Sequence, residues 1–156
     1  MSRFLKYWLP VALWMGVIFF MSTNAGSAQN TSRILEPLLR WFVPDISQHA
    51  IEWAHFIVRK GGHLSEYGIL AMLVWRALMQ GETGGAAKRA GWALLISAAY
   101  AASDEFHQSF VSTRTASARD VMIDSCGALI ALALILWWRR GRPSARCPSH
   151  ETSGNV

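Results

Sequence analysis

The sequence predicts an all-α, polytopic membrane protein: a bundle of four transmembrane helices, with one or two short interfacial amphipathic helices between spans 1 and 2. Hydrophobic residues make up 52% of the 156-residue chain and charged residues only 16%, whereas charged residues are about 25% of an average soluble protein. Four apolar stretches approach the roughly 20 residues with which a helix crosses a bilayer. The eight tryptophans are also typical of membrane proteins, because the indole ring lies well at the level of the lipid headgroups.

The four apolar stretches are the predicted spans. In chain order they cover residues Phe4 to Met21, His63 to Met79, Ala90 to Phe106 and Asp120 to Trp138. The first stretch has basic residues near its start and small residues after its end, so a cleaved signal peptide is the alternative interpretation. Its apolar run is long for a signal peptide, and this length favours a span.

The segment between the first two spans has an amphipathic pattern. Residues 33–42 place their apolar side chains, Trp41 among them, on one side of a helix. Residues 47–58 repeat the pattern, with Asp45 or Ser47 as a candidate N-cap. We expect two short helices that lie in the membrane interface, with packing against the bundle as the alternative.

The basic residues predict the orientation. They flank apolar runs instead of forming one continuous basic face, so the net charge of +5 does not indicate a nucleic-acid-binding protein. With the N-terminus inside, nine Lys and Arg residues fall on the cytoplasmic side and six on the outer side, as the positive-inside rule favours. We therefore expect a bacterial cytoplasmic (inner) membrane protein with both termini in the cytoplasm.

The chain divides into two predicted regions. Residues 1–138 form one membrane domain, and residues 139–156 form a basic cytoplasmic tail that we expect to be disordered. Cys126 falls in an apolar run and Cys147 in the tail. Two cysteines in such places predict neither a disulfide nor a zinc site.

Three clusters of polar residues stand at the edges of the apolar stretches. An ionisable group within a membrane segment is costly unless it meets a partner or water. The clusters are Arg59, Lys60, His63, Glu66 and Tyr67 at span 2, Asp104, Glu105, His107 and Gln108 at span 3, and Arg119, Asp120 and Asp124 at span 4. In an up-and-down bundle these three ends lie on the same, outer side. We therefore predict that the clusters meet in one outward-facing pocket between spans 2, 3 and 4.

Helical spacing places the polar groups of each cluster on shared faces. His63, Glu66 and Tyr67 stand at positions i, i+3 and i+4 of span 2. Four carboxylates from spans 3 and 4 would repel one another at close range, so we expect at least one to be protonated or to face a cation. A purely structural salt-bridge network with Lys60, Arg114 and Arg119 requires the same convergence and is the alternative.

The clusters resemble the signatures of the VanZ-like family of small integral membrane proteins. The first signature is Arg59-Lys60-x-x-His63-Leu64-x-Glu66-Tyr67-x-x-Leu70. The second is Asp104-Glu105-Phe106-His107-Gln108-x-Phe110-x-x-x-Arg114, continuing to Arg119-Asp120-x-x-x-Asp124-x-x-Gly127. The end of the first span, Ile18-Phe19-Phe20-Met21-Ser22, is similar to the family's opening helix, so the resemblance covers about residues 10 to 138. In one departure, Ser112-Thr113 stands where members often carry Pro-Gly.

The resemblance implies a link to resistance to the glycopeptide teicoplanin, with which the family's namesake is associated. The first functional hypothesis is a binding or envelope-modulating protein whose pocket holds a membrane lipid or a lipid-linked envelope precursor. Guanidinium and ammonium groups bind phosphate well, and the candidate binding residues are Arg59, Lys60, Tyr67, Gln108, Arg114 and Arg119.

The alternative hypothesis is a membrane-embedded hydrolase or transferase that acts on a lipid phosphate. A histidine or carboxylate would be the general base, with or without a divalent metal on the carboxylates. The candidate catalytic residues are His63, Glu66, Asp104, Glu105, Asp120 and Asp124. An ion-coupled carrier is the least favoured class, because the inner halves of the spans lack polar residues to continue a path. The sequence predicts neither a cofactor nor an oligomeric state.

Overall fold

The computed structural model describes residues 3–23, 28–80, 85–110 and 117–140, which form five α-helices and no strand. In chain order the helices are α1 (Arg3–Ser22), α2 (Ala28–Phe42), α3 (Gln48–Leu78), α4 (Ala86–Gln108) and α5 (Ala118–Arg140). The predicted all-α class is confirmed. Residues 141–156, most of the predicted tail, lie outside the described residues, while Arg139 and Arg140 form the last turn of α5.

Helix α3 differs from the prediction because it is continuous over 31 residues. Its N-cap is Ser47, whose side-chain oxygen accepts a hydrogen bond of 3.2 Å from the backbone N–H of Ala50. The helix then runs through Gly61 and Gly62 without a break. Glycine in a helix costs only about 1 kcal/mol relative to alanine, and the tertiary contacts of α3 offset that cost. The predicted helix over residues 47–58 is therefore the first half of α3, and α2 is the one separate short helix before span 2.

Helix α2 is amphipathic and lies beside the first half of α3. It begins five residues earlier than predicted, at Ala28. Among the described elements it makes extensive contact with α3 alone. Ile34 and Trp41 are 75% and 74% exposed. Its apolar side therefore points away from the bundle, as expected of a helix that lies in a membrane interface.

Helix α3 organises the bundle because it contacts each of the other four helices. The most extensive contact is with α5, and α4 packs against both. Side-chain hydrogen bonds to backbone carbonyls help to hold helix α1 against the bundle. Trp14 Nε1 donates to the Glu66 carbonyl at 2.9 Å, and the Tyr100 hydroxyl donates to the Met15 carbonyl at 2.7 Å.

The outer surface of the bundle is largely apolar. Leu13, Met122 and Leu134 are each more than half exposed, and a broad apolar surface is unusual for a monomeric soluble protein. Of the described helices, α1 and α5 are long and apolar enough to cross a membrane. Helices α3 and α4 do not meet that criterion, and both carry ionisable residues towards both ends.

Candidate functional site

The crossing of α3 and α5 positions the candidate site. A Cβ atom added to Gly127 would overlap the carbonyl oxygen of Leu64 and lie 2.9 Å from its Cα. Gly68, one turn further along α3, faces the Gly127 carbonyl in the same contact. Glycine therefore allows the two helix backbones to touch. The crossing lies directly beside His63 and one turn from Asp124, so it brings these two side chains together.

His63 and Asp124 form one of two pairings between the first and third polar clusters among the described residues. His63 Nδ1 lies 3.4 Å from Asp124 Oδ1, and both residues are buried, with exposures of 9% and 1%. A carboxylate next to one ring nitrogen orients an imidazole and fixes which nitrogen carries the proton. Because Nδ1 points at Asp124, Nε2 on the far side of the ring is the nitrogen left for a ligand.

Lys60 and Asp120 form an ion pair about one turn away on the same two helices. The side chain of Lys60 is 23% exposed and that of Asp120 is 8% exposed. Asp120 also stands in the first turn of α5, where a negative charge is favoured by the helix dipole. The pair therefore links the start of α5 to the middle of α3 and leaves one side of the ammonium group open.

Asp104 and Gln108 of α4 lie behind the His63–Asp124 and Lys60–Asp120 contacts. Both bind the end of α1. The Ser22 hydroxyl donates to Asp104 Oδ2 at 2.6 Å and accepts from Gln108 Nε2 at 2.8 Å. Gln108 Nε2 also lies 3.1 Å from Asp104 Oδ2. The three side chains are almost completely buried. Ser22 is absent from the sequence-based set of site residues, although it belongs to the opening-helix motif quoted above.

Glu105 ties α4 to the turn before α5. Its Oε2 accepts a hydrogen bond of 3.2 Å from the backbone N–H of Ser117. It also interacts electrostatically with His63, Asp120 and Asp124. Glu105 therefore links the second cluster to the turn before α5 by a hydrogen bond and to the other two clusters by charge.

Tyr67 lies at the centre of the buried polar groups. It is fully buried on α3, and its hydroxyl interacts electrostatically with Asp104 and Asp124. The Tyr67 hydroxyl and Asp104 Oδ1 have no hydrogen-bond partner among the described residues. Buried polar groups in folded proteins nearly always have a hydrogen-bond partner. These groups can therefore still form hydrogen bonds.

A cavity of about 670 Å3, here called the main cavity, opens beside these residues. Its basic lining side chains are Arg59, Lys60 and Arg119, with His55 and His63, and its acidic ones are Glu66 and Asp120. Its remaining lining residues are Met21, Ser22, Thr31, Phe56, Val58, Gly62, Ser117 and Ile123.

The position of the main cavity differs from the predicted pocket between spans 2, 3 and 4. It is bounded by α3 and α5 together with the end of α1 and the start of α2, and none of the described residues of α4 lines it. The carboxylates of α4 are instead occupied by Ser22 and by the turn before α5. The second cluster therefore supports the wall of the cavity from behind.

His55 and His107 lie in two different settings. His55 lines the main cavity. It lies one helical turn before Arg59 and two turns before His63, and this spacing places the three on one face only if α3 is continuous. His107 stacks against Phe19, with ring centroids 4.5 Å apart. Arg114 lies outside the described residues.

The described residues include no group of three His, Cys, Asp or Glu side chains placed to hold a metal ion. The carboxylates are arranged instead as partners of a lysine, a histidine, a serine and a backbone amide. Within the described ranges, these acidic side chains therefore contact cationic and donor groups.

Fold and site together define a small helical protein with an apolar outer surface and a cavity between its helices that is lined by both charged and apolar side chains. The chain belongs to the VanZ/LLP1 family, whose model matches residues 7–139. It is therefore a membrane protein of a family that is linked, through its namesake, to teicoplanin resistance. No curated protein and no solved structure matches the chain significantly.

Proposed function

We propose that the protein binds the phosphate-bearing headgroup of a cell-envelope amphiphile in the main cavity. The observation that carries the proposal is the convergence of Arg59, Lys60 and Arg119 on one cavity within an otherwise apolar bundle. Guanidinium groups donate paired hydrogen bonds that match phosphate oxygens. The ligand class is a membrane lipid or a lipid-linked envelope precursor.

The charge distribution supports an anionic ligand. Lys60 is already paired with Asp120, so the ligand's main contacts come from the two arginines. Arg59 Nε is buried and has no hydrogen-bond partner among the described residues. A buried donor without a partner is costly, and an anion in the cavity would remove that cost.

The apolar part of the lining supports an amphiphile over a free anion. Met21, Phe56, Val58 and Ile123 line the same cavity as the arginines. Phe56 is 54% exposed. A ligand with a charged head and an apolar chain satisfies both kinds of surface at once.

The arrangement in the membrane is part of the proposal. Helices α1, α4, α5 and the second half of α3 are the four spans, and α2 with the first half of α3 lies at the interface. Residues 1–138 form the membrane domain, with both termini in the cytoplasm and the main cavity near the outer face of the bacterial inner membrane. The last turn of α5, with Arg139 and Arg140, supports this orientation through the positive-inside rule.

Lipid binding by the purified full chain tests the proposal. A polyisoprenyl phosphate is the probe, and the uncharged polyisoprenol is the reference. We expect Arg59→Gln/Arg119→Gln to lose on the order of 10-fold or more in affinity for the phosphate form, because two charge-assisted contacts are removed. A control that removes two cations elsewhere, Arg33→Gln/Arg76→Gln, should bind like the wild type. Equal binding of the alcohol and the phosphate by the wild type would refute the proposal.

A cellular test uses glycopeptide sensitivity. Cells that carry Asp104→Asn or Asp120→Asn should differ from cells with the wild type at equal expression, because each substitution weakens a contact that shapes the cavity. Unchanged sensitivity in both would show that the carboxylates are structural only.

The His63–Asp124 pair favours a second candidate, a hydrolase or transferase acting on a lipid phosphate. With Nδ1 held by Asp124 at 3.4 Å, Nε2 can accept a proton from water or an alcohol as that oxygen attacks phosphorus. The bond between phosphorus and the lipid oxygen then breaks, and the proton passes from Nε2 to that oxygen, so the lipid leaves as the alcohol. In that mechanism Glu66, Asp104, Glu105 and Asp120 contribute to the electrostatic environment of the His63–Asp124 pair, with or without a divalent metal.

Phosphate release from the same polyisoprenyl phosphate tests this candidate. Wild-type protein should release phosphate, His63→Ala should not, and the exposed His49→Ala should match the wild type. If the wild type shows no turnover, with or without added divalent metal, the enzyme candidate fails and the binding proposal stands.

A further inference from the structure

A second cavity lies at the opposite end of the bundle from the candidate site. It measures about 580 Å3 and is bounded by the start of α1, the end of α3 and the start of α4. Its lining residues are Phe4, Trp8, Ala77, Leu78, Gln80, Lys88, Arg89, Trp92 and Ile96. None of these belongs to the polar clusters around the main cavity.

The second cavity joins basic side chains to an aromatic wall. Lys88 and Arg89 are adjacent on the first turn of α4, and Trp92 follows one turn later with 52% exposure. Phe4 and Trp8 stack with ring centroids 5.8 Å apart on the facing helix. Tryptophan favours the headgroup level of a bilayer, so this end of the bundle suits the headgroup and the first carbons of a lipid.

The start of α4 adds backbone donors to the two cations. Gly85 is the N-cap and supplies no side-chain hydrogen bond, and the first turn of α4 contains no acidic residue. The first N–H groups of a helix lack internal partners and favour an anion. Lys88 and Arg89 stand in the first turn of α4, next to these N–H groups, so both features favour an anion at this end of the helix.

We propose that the second cavity binds an anionic glycerophospholipid, with the phosphate at Lys88, Arg89 and the start of α4 and an acyl chain along Trp8 and Trp92. The proposal rests on the proposed spanning arrangement, which places this end in the cytoplasmic leaflet. Anionic lipids give that leaflet its negative surface potential, and basic pockets between spans on this side bind lipid headgroups. The lipid would anchor the bundle at the end opposite the main cavity.

Native mass spectrometry of the full chain in detergent tests the proposal. Phosphatidylglycerol is the probe and phosphatidylcholine, with the same acyl chains, is the reference. We expect the wild type to retain phosphatidylglycerol selectively. Lys88→Gln/Arg89→Gln should weaken its binding on the order of 30-fold, as the loss of two near-surface cations predicts.

Three matched variants make the test specific. Lys6→Gln/Arg140→Gln removes two cations from the same end but outside the cavity, and it should bind like the wild type. Lys88→Arg/Arg89→Lys keeps both charges and should also bind. Arg59→Gln/Arg119→Gln should keep phosphatidylglycerol even where it loses the polyisoprenyl phosphate, which separates the two proposals.

Two results would overturn the inference. One is equal retention of phosphatidylcholine and phosphatidylglycerol by the wild type, which needs no variant to fold. The other is an equal loss of binding in Lys6→Gln/Arg140→Gln and in Lys88→Gln/Arg89→Gln, which would indicate general attraction to the basic end of the bundle.

Discussion

The contact between Gly127 and Leu64 predicts that Gly127→Ala destabilises the protein. The added Cβ would overlap the Leu64 carbonyl oxygen and lie 2.9 Å from Leu64 Cα, whereas ordinary contact begins at 3.4 Å. Both neighbours are backbone atoms in long helices, so no side-chain rotation relieves the overlap. The helices must therefore separate by at least about 0.5 Å in a close-packed interior.

The expected magnitude follows from this displacement. Overpacking a well-packed interior costs about 1–3 kcal/mol, and a chain of this size loses about 2–4 °C in Tm for each kcal/mol. We expect Gly127→Ala to lower the Tm by roughly 2–12 °C. The same separation would lengthen the His63 to Asp124 distance beyond 3.4 Å and weaken ligand binding in the main cavity.

Thermal unfolding of the purified protein in detergent, followed by far-ultraviolet circular dichroism, provides the assay. Gly91→Ala is the matched control, because a Cβ at Gly91 on α4 would meet nothing within 4 Å. Gly68→Ala should fall between the two, since its Cβ would lie 3.3 Å from the Gly127 carbonyl oxygen. If Gly127→Ala unfolds at the same temperature as Gly91→Ala, the close approach of α3 and α5 is not as described.

Two further predictions concern side-chain contacts and use the same assay. Ser22→Ala removes a buried donor to Asp104 at 2.6 Å and should lower the free energy of unfolding by about 1.5–3 kcal/mol, as for hydrogen bonds to charged groups. The control Ser103→Ala changes an exposed serine and should cost less than about 0.5 kcal/mol. Equal effects of the two variants would contradict the link between α1 and α4. Lys60→Met leaves the Asp120 carboxylate buried without its partner and should cost more than the double variant Lys60→Met/Asp120→Asn, because the double variant removes the unpaired charge. A double variant that is less stable than Lys60→Met would contradict the ion pair.

The sequence predicted the helices well because helix formation depends on local patterns. Apolar runs of nearly 20 residues and the charges that flank them are visible without any knowledge of contacts. The bounds of α1, α4 and α5 accordingly lie within four residues of the predicted ends. The predicted helix over residues 47–58 and the predicted span from His63 are parts of one helix in the structure, because two glycines lower helix propensity without forbidding a helix that is supported by its neighbours.

Much of the candidate site was also predictable from the sequence. His63, Asp120 and Asp124 stand out because ionisable groups at the edges of membrane segments require partners. The small residues around Gly127 indicate that α3 and α5 approach closely enough for their polar side chains to pair. They do not indicate which side chain pairs with which. His55 was not among the predicted site residues, and its helical register with His63 follows only from the continuity of α3.

By itself, the sequence determined that the chain forms apolar helices and that its charges gather at their ends, because both properties follow from residue type and spacing. Only the tertiary structure decided which of those charged side chains contact one another. Ser22 reaches Asp104 across 82 positions of the chain, and this contact removes the second cluster from the cavity wall. Such pairings depend on where two helix backbones can touch, which here is decided by a glycine against a carbonyl group. Local patterns predict the helices, and the distance between helix axes decides which side chains form the site.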